Sequence, residues 1–549
     1  LLPLLLLLPP LPLSAQRRAR PSSRSASWLA QRIAPIIIRA EADRAFWGIE
    51  VYAPARGQTL YSLNAHRYFT PASVTKLFTT AAALTLLGPD HQFRTTVETP
   101  ARIDAYGRLL GDLILVGRGD PNLSGRPFPY TAENQERENW DPPTVVLEQL
   151  ADQVVAAGVR IVAGDIVADD SFFAPERYPS GWSLGDVLWG YGAPVTALAL
   201  NDNTITLRVE PGERVGEPAR LTWEPYVAFY RAANRIVTGE PGSRTEISLR
   251  REPGTRAVAL SGTIAADHSG RALTLAIEDP TEFAATLFRA LLELRGVRVD
   301  GSVRVRRAIP TVEAPEVTAA AENPPAPSPS RRPDERTVLA EHLSLPLVED
   351  IKLILKESQN LHAEMLLRLL GRQLPPPAPG LQPRELKPYE LPPRLGNGSA
   401  EAGLEVLRAL LANAGVNPND VELYDGSGLA RRNLLTPHAV VQWLKFIQAQ
   451  PWRPLLADAL PRAGLDGTLK DRMKNGPARA RIQAKTGTLA HTNALAGFAQ
   501  TVSGEPLLFA IFVNHHTLAN ARALALLDAI CNVLVQLPPA TRKKTEKGN

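Results

Sequence analysis

Three short runs carry side chains that could cooperate in nucleophilic chemistry: Ser73-Val74-Thr75-Lys76, Ser358-Gln359-Asn360 and Lys485-Thr486-Gly487-Thr488. A serine hydroxyl is a poor nucleophile at neutral pH and needs a base. At the start of a helix, positions i and i+3 share a face, so Lys76 can bring its amine to the Ser73 hydroxyl. To act as a base the lysine must be neutral, and burial, a neighbouring cation and the positive end of a helix all push its pKa down. Taken alone, Ser73 reads as well as a plain helix cap. Ser358 lies between two helical segments, placed to relay a proton between Lys76 and a leaving amine, with Asn360 free to bond a substrate backbone. The competing reading is again capping, of a helix beginning near Leu361. Lys485 supplies positive charge for a carboxylate, Thr486 and Thr488 supply donors to it, and Gly487 lets a backbone approach the strand closely. A lone run of this kind is more simply a surface lysine before a turn; only the three runs together, in this order, carry the argument.

These residues need a scaffold. Residues 46–53 and 59–63 read as strands joined by a turn at 54–57, and residues 73–87 as a buried helix stopped by Gly88-Pro89. From residue 93 to 203 the texture is β-rich, with runs at 113–116 and 161–167; residues 204–275 are strand and turn, and a helix follows near 282–295. Residues 314–336 read as a proline-rich linker, and 374–394 form a second proline-rich stretch. Helices are expected at 347–356, 361–370, 402–414 and 437–449, then strands at 481–485, 495–500 and 507–513, and a packed helix at 518–537 carrying the single cysteine, Cys531. One economical reading is an α+β unit whose two halves flank a guest.

Composition narrows the class. The chain has 549 residues and is 44% apolar, enough for about three or four domains. Its net charge of +5 is too dilute for a nucleic-acid binder. Residues 1–13 are almost entirely Leu and Pro, then Ser14-Ala15 and Arg17, Arg18 and Arg20 follow. Residues 1–15 are expected to be the remnant of a secretory signal peptide, too short and proline-rich for a good span. That reading places the protein outside the cytoplasm, periplasmic or otherwise extracytoplasmic, with membrane contact at most peripheral. It leaves open whether the basic stretch at 542–547 touches a membrane.

Ser-x-x-Lys, Ser-x-Asn and Lys-Thr-Gly in this order form the motif set of penicillin-binding proteins and serine β-lactamases. The sequence resembles one group in particular, the low-molecular-mass class C penicillin-binding proteins, which are D-alanyl-D-alanine carboxypeptidase/endopeptidases. The resemblance is carried by residues 69–76, 111–121, 164–170, 191–198, 425–429 and 485–488. It implies an α+β fold: a penicillin-binding-protein/serine β-lactamase-like transpeptidase domain, an antiparallel sheet with helices, split by a large β-rich insertion of two nested domains. The catalytic domain would comprise 25–96 and 337–540, the inserted domain 97–203 and 276–313, and the nested domain 204–275, with 314–336 as linker.

The resemblance also implies a serine-type carboxypeptidase and/or D,D-endopeptidase acting on peptidoglycan stem peptides, with β-lactams as inhibitors. Ser73 would be the nucleophile, with Lys76 and Ser358 catalytic and Asn360, Lys485, Thr486, Gly487 and Thr488 binding substrate. Backbone N–H groups of Ser73 and Thr488 would form the oxyanion hole, one such donor contributing about 3 kcal/mol. No metal or other cofactor is implied. Some members bind the free amino-acid end of a diaminopimelate side chain, and Asp169 and Arg431 match positions used for it; an acid and a guanidinium suit a zwitterion. Two positions depart from the pattern: Gln359 stands where Asp is usual, and Ala490 where some members place Gln. A serine β-lactamase is the first alternative, opposed by the large insertion and by the lack of a Glu-x-x-Leu-Asn segment between the second and third motifs. A catalytically silent wall-binding scaffold is the second, opposed by three intact motifs.

Overall fold

The computed structural model describes residues 24–39, 42, 44–131, 133, 140–308, 336–373 and 396–539. The expected leader (1–15), the second proline-rich stretch (374–394), the basic stretch at 542–547 and all but residue 336 of the linker proper lie outside the described residues.

Strands Gln58–Leu63, Phe46–Ala53, Pro506–Asn514, Thr492–Gln500 and Ile482–Leu489 lie side by side in that order, all antiparallel. The register places Phe46 opposite Asn514 and Tyr52 opposite Leu508, so the first strand of the chain lies against the last, which is the central strand of the sheet. Thr492–Gln500 and Pro506–Asn514 are buried along nearly their whole length, because helices cover both faces. On one face, Asn520–Val535 packs with a helix at Arg24–Ile37. That first helix was not expected, because Pro35 interrupts its pattern; Leu29, Ile33 and Ile36 nonetheless recur at helical spacing and are buried. The other face holds an all-helical layer of Lys76–Leu86, Leu347–Lys356, Asn360–Gln373, Ala400–Asn413 and Pro437–Gln448 around Trp443, Phe78 and Leu366. Ser399 and Thr436 cap two of these helices by accepting from the N–H groups of Ala402 and Ala439.

The chain leaves this unit and returns along two paired strands, Arg94–Thr99 and Thr337–Leu343. Both belong to a second five-stranded sheet, ordered Val303–Arg306, Ile166–Asp169, Leu113–Val116, Arg94–Thr99, Thr337–Leu343. The expected boundaries at 96 and 337 therefore need correction: residues 94–96 and 337–343 are part of the inserted unit's sheet, because antiparallel pairing of the outgoing and returning chain extends it. Helices Val145–Ala156 and Pro280–Leu294 pack with this sheet. Within residues 204–276 the chain forms two three-stranded sheets, one of Thr204–Glu210, Arg220–Glu224 and Arg271–Ala276, the other of Arg231–Gly239, Ala257–Ala265 and Glu246–Arg250. Ile205, Leu207 and Ile236 from these strands join Leu115, Ile166 and Phe288 in one apolar core, so the nested unit shares its interior with its host. No helix among the described residues is long and apolar enough to cross a membrane.

Candidate active site

The segment expected as one helix from residue 73 is a 3₁₀ turn, Ala72–Thr75, feeding the α-helix Lys76–Leu86. The turn begins at Ala72 with a left-handed φ of 48° and is pressed from two sides. A Cβ on Gly428 would lie 1.9 Å from the Ala72 carbonyl oxygen, and one on Gly487 2.6 Å from that of Pro71. Only glycine permits such approach, and Gly428 also needs its φ of +85°. Ser73 does not cap: no side-chain cap bond forms at this turn, and the Ser73 hydroxyl instead accepts from Lys76 Nζ at 3.0 Å.

Lys76 is fully buried. Its Nζ also donates to Asn360 Oδ1 at 2.6 Å and to the Ser427 carbonyl at 2.7 Å. Burial lowers its pKa to about 7, against the opposing pull of Asp425 and Glu364, so a large fraction of the amine is neutral near physiological pH. Those two carboxylates hold the wall behind it. Glu364 accepts from the N–H groups of Gly426 and Ser427 at 3.0 and 2.8 Å. Asp425 accepts from the N–H groups of Gly428 and Ala430, from Asn433 Nδ2 and from Trp182 Nε1. Burial, then the charge of Asp425, pushes the Glu364 carboxyl up to about 7.

Ser358 has a left-handed φ of 61°, and its hydroxyl accepts from Lys485 Nζ at 2.9 Å. Lys485 is likewise fully buried and also donates to the Thr486 carbonyl at 3.0 Å. Burial and then the nearby Lys76 drive its pKa well below the ordinary lysine value. Asn360 opens the next helix, its oxygen on Lys76 and its Nδ2 donating to the Tyr191 carbonyl at 2.8 Å.

A cleft of about 680 Å³ opens above these groups, lined among others by Ser73, Ser358, Asn360, Thr488, Asp186 and Arg431. The structure thus brings Ser73, Lys76, Ser358, Asn360, Lys485 and Thr488 together, with Arg431 at the cleft wall. Gly487 serves close approach, to the Ser73 turn itself. The Thr486 hydroxyl donates to Thr468 Oγ1 at 2.8 Å, and Thr488 receives the Asn493 amide at 3.2 Å. Asp169 is a correction. It ends its strand buried in the inserted sheet, paired with Arg306 at 3.1 Å and Arg336 at 3.6 Å, its Oδ1 also bound by Ser171, and it does not line the cleft. The acid that does is Asp186, which accepts from the Tyr191 hydroxyl at 3.2 Å. No local motif marks Asp186; it reaches the cleft only because the inserted unit folds over it. Ala490 lines the cleft beside His491. Among the described residues no group of three or more His, Cys, Asp or Glu is arranged to hold a metal ion.

A family model described as the D-Ala-D-Ala carboxypeptidase 3 (S13) family matches residues 29–327, 328–382 and 394–534. The chain is 33% identical over 494 residues to a D-alanyl-D-alanine carboxypeptidase of an Actinomadura species, a match covering 88% of this chain and 80% of that protein. It is 24% identical over 471 residues to the D-alanyl-D-alanine carboxypeptidase DacB of Haemophilus influenzae, covering 84% of each. The crystal structure of penicillin binding protein 4 (dacB) from Haemophilus influenzae superposes with a TM-score of 0.71 at 23% identity, over 93% of this chain and 98% of that one. A second structure of that protein, complexed with a β-lactam, gives 0.66 at 22% identity over the same shares. These two likenesses establish the α+β fold.

Proposed function

The chain belongs to the D-Ala-D-Ala carboxypeptidase 3 (S13) family, and on that premise we propose that it hydrolyses D-Ala-D-Ala-type bonds of peptidoglycan stem peptides through a Ser73 acyl-enzyme that β-lactams also form. It is a serine-type hydrolase of the penicillin-binding kind, as carboxypeptidase, D,D-endopeptidase or both. The observation that carries the mechanism is the bond from a fully buried Lys76 to the Ser73 hydroxyl. Neutral Lys76 takes the Ser73 proton as Oγ bonds the carbonyl carbon. The oxyanion sits against the backbone N–H groups of Ser73 and Thr488. As the C–N bond breaks, the proton passes from Lys76 through the Ser358 hydroxyl to the leaving amine, with Lys485 holding Ser358. Water then attacks the ester, releasing the acid and restoring Ser73. Lys485 and Thr488 attract the substrate carboxylate, while Asp186 and Arg431, an acid and a guanidinium on the cleft wall, suit a zwitterionic side-chain end. The leucine- and proline-rich first residues support export to the periplasm or another extracytoplasmic space.

The test is acylation by a labelled penicillin together with mass spectrometry of digested peptidoglycan fragments. The parent should be labelled and should release terminal D-Ala or cut cross-links, and Ser73→Ala should do neither. Labelling of the Ala variant would remove Ser73 from its role; rapid turnover of penicillin without action on peptide would favour a β-lactamase; a folded, unlabelled parent would favour a scaffold.

A further inference from the structure

The turn that carries Ser358 is held by residues of the inserted unit on both sides. On its N-terminal side the Tyr130 hydroxyl donates to Glu357 Oε1, and the Tyr130 N–H to Glu349 Oε2 at 3.0 Å. On its C-terminal side Gln359 Nε2 donates to Asp202 Oδ2 at 2.8 Å, and Asn360 Nδ2 to the Tyr191 carbonyl. Ser358 lies between these attachments with a left-handed φ, a conformation that persists only where the surroundings over-determine it.

Asp202 is the centre of the grip. It sits in a loop, residues 201–203, whose three members have φ of 48°, 57° and 54°, and it is pushed into the catalytic unit. Besides Gln359, its carboxylate binds Arg126 and lies 3.0 Å from His362 Nε2. The other His362 nitrogen is 2.6 Å from Asp350 Oδ1. With a carboxylate on each nitrogen, His362 is an imidazolium donating twice. Although burial opposes it, Asp350 and Asp202 carry its pKa up to about 9. Two carboxylates thus face two cations, and the cluster is neutral overall, as a buried group of charges must nearly be. Gln359, where the resembled family usually has Asp, then has a physical reason: a carboxylate there would face Asp202 across 2.8 Å, whereas an amide donates to it.

We propose that Asp202, through Gln359, is a positioning residue that fixes Ser358 for proton delivery to the leaving group, so that the inserted unit is part of the catalytic apparatus rather than a mere guest. The inference rests on the acyl-enzyme reading above. Loosening the turn should slow bond cleavage where the leaving amine needs a proton, and matter little where the leaving group departs unaided.

Asp202→Asn and Gln359→Glu, both isosteric, should lower turnover of an amide substrate at least about tenfold, a change of about 1.4 kcal/mol in barrier. Turnover of the matching thiolester, whose thiolate leaves unprotonated, should change less than about threefold, and KM for the amide should hold, since the substrate-binding groups stay in place. The reciprocal double variant, Asp202→Asn with Gln359→Glu, restores an amide facing a carboxylate and should recover most of the loss. Equal effects on amide and thiolester, no effect in either single variant, or a double variant no better than the product of the singles would overturn the proposal. An active parent beside an inactive Ser73→Ala keeps the acyl-enzyme reading intact in each of those cases. A parent inert on both substrates overturns that reading and this proposal together.

Discussion

Lys76 is asked to be two things, a cation when it donates to Asn360 and a base when it deprotonates Ser73, and a pKa of about 7 lets it be both. Because the neutral form is the base, acylation by penicillin should rise with pH through about 7 and fall about tenfold per unit below it; stopped-flow labelling between pH 5 and 9 measures this, and a flat profile would mean that another group takes the proton. Lys76→Arg keeps a permanent charge in the same place and should lose roughly 10²–10⁴-fold in acylation rate at constant fold. Much of this site was legible in the sequence, because Ser73, Lys76, Ser358, Asn360 and Lys485 sit in motifs whose order carries information. Asp186 was not legible, since its place in the cleft comes from tertiary folding alone. Asp169 misled for the complementary reason: an acid at a strand end reads the same in sequence whether it faces a substrate or, as here, Arg306 and Arg336.

At the scale of elements, the 3₁₀ turn of Ser73 is wedged between the Gly428 loop and the Ile482–Leu489 strand. Gly428→Ala adds a Cβ 1.9 Å from the Ala72 carbonyl and at a φ that side chains resist, so it should cost about 1–3 kcal/mol and slow acylation by moving the turn. Thermal melting checks the first, and the rate of labelling by penicillin checks the second. The elements themselves were mostly readable: the buried strands after residue 480 and the capped helices before it announce themselves by apolar runs and cap residues. What could not be read locally was pairing. Nothing in residues 94–99 says that they join the inserted sheet instead of the catalytic one; partners at 113–116 and 337–343 decide it.

For the molecule as a whole, two buried cations tilt the pH dependence of stability in opposite directions. His362 has its folded pKa raised to about 9 by Asp350 and Asp202, with Arg126 in the same cluster. Its stabilisation is therefore complete below the unfolded value of about 6.5 and is lost as pH rises through about 9. Lys76, depressed to about 7, is protonated more readily in the unfolded chain, so its cost shrinks as pH rises from about 7 toward the ordinary lysine value. His362→Gln should remove the first slope and leave the second, so that its melting temperature declines less than the parent's between pH 7 and 10, whatever its absolute value. The sheet order carries a consequence in time as well. Phe46–Ala53 waits for Pro506–Asn514 before its second edge is filled, and the Lys-Thr-Gly strand must arrive before the Ser73 turn has its wall. Pairing across so long a span is slow to form. During synthesis the chain therefore passes through every intermediate length without a working nucleophile, and a product truncated before residue 506 should be inert toward wall peptide and penicillin alike.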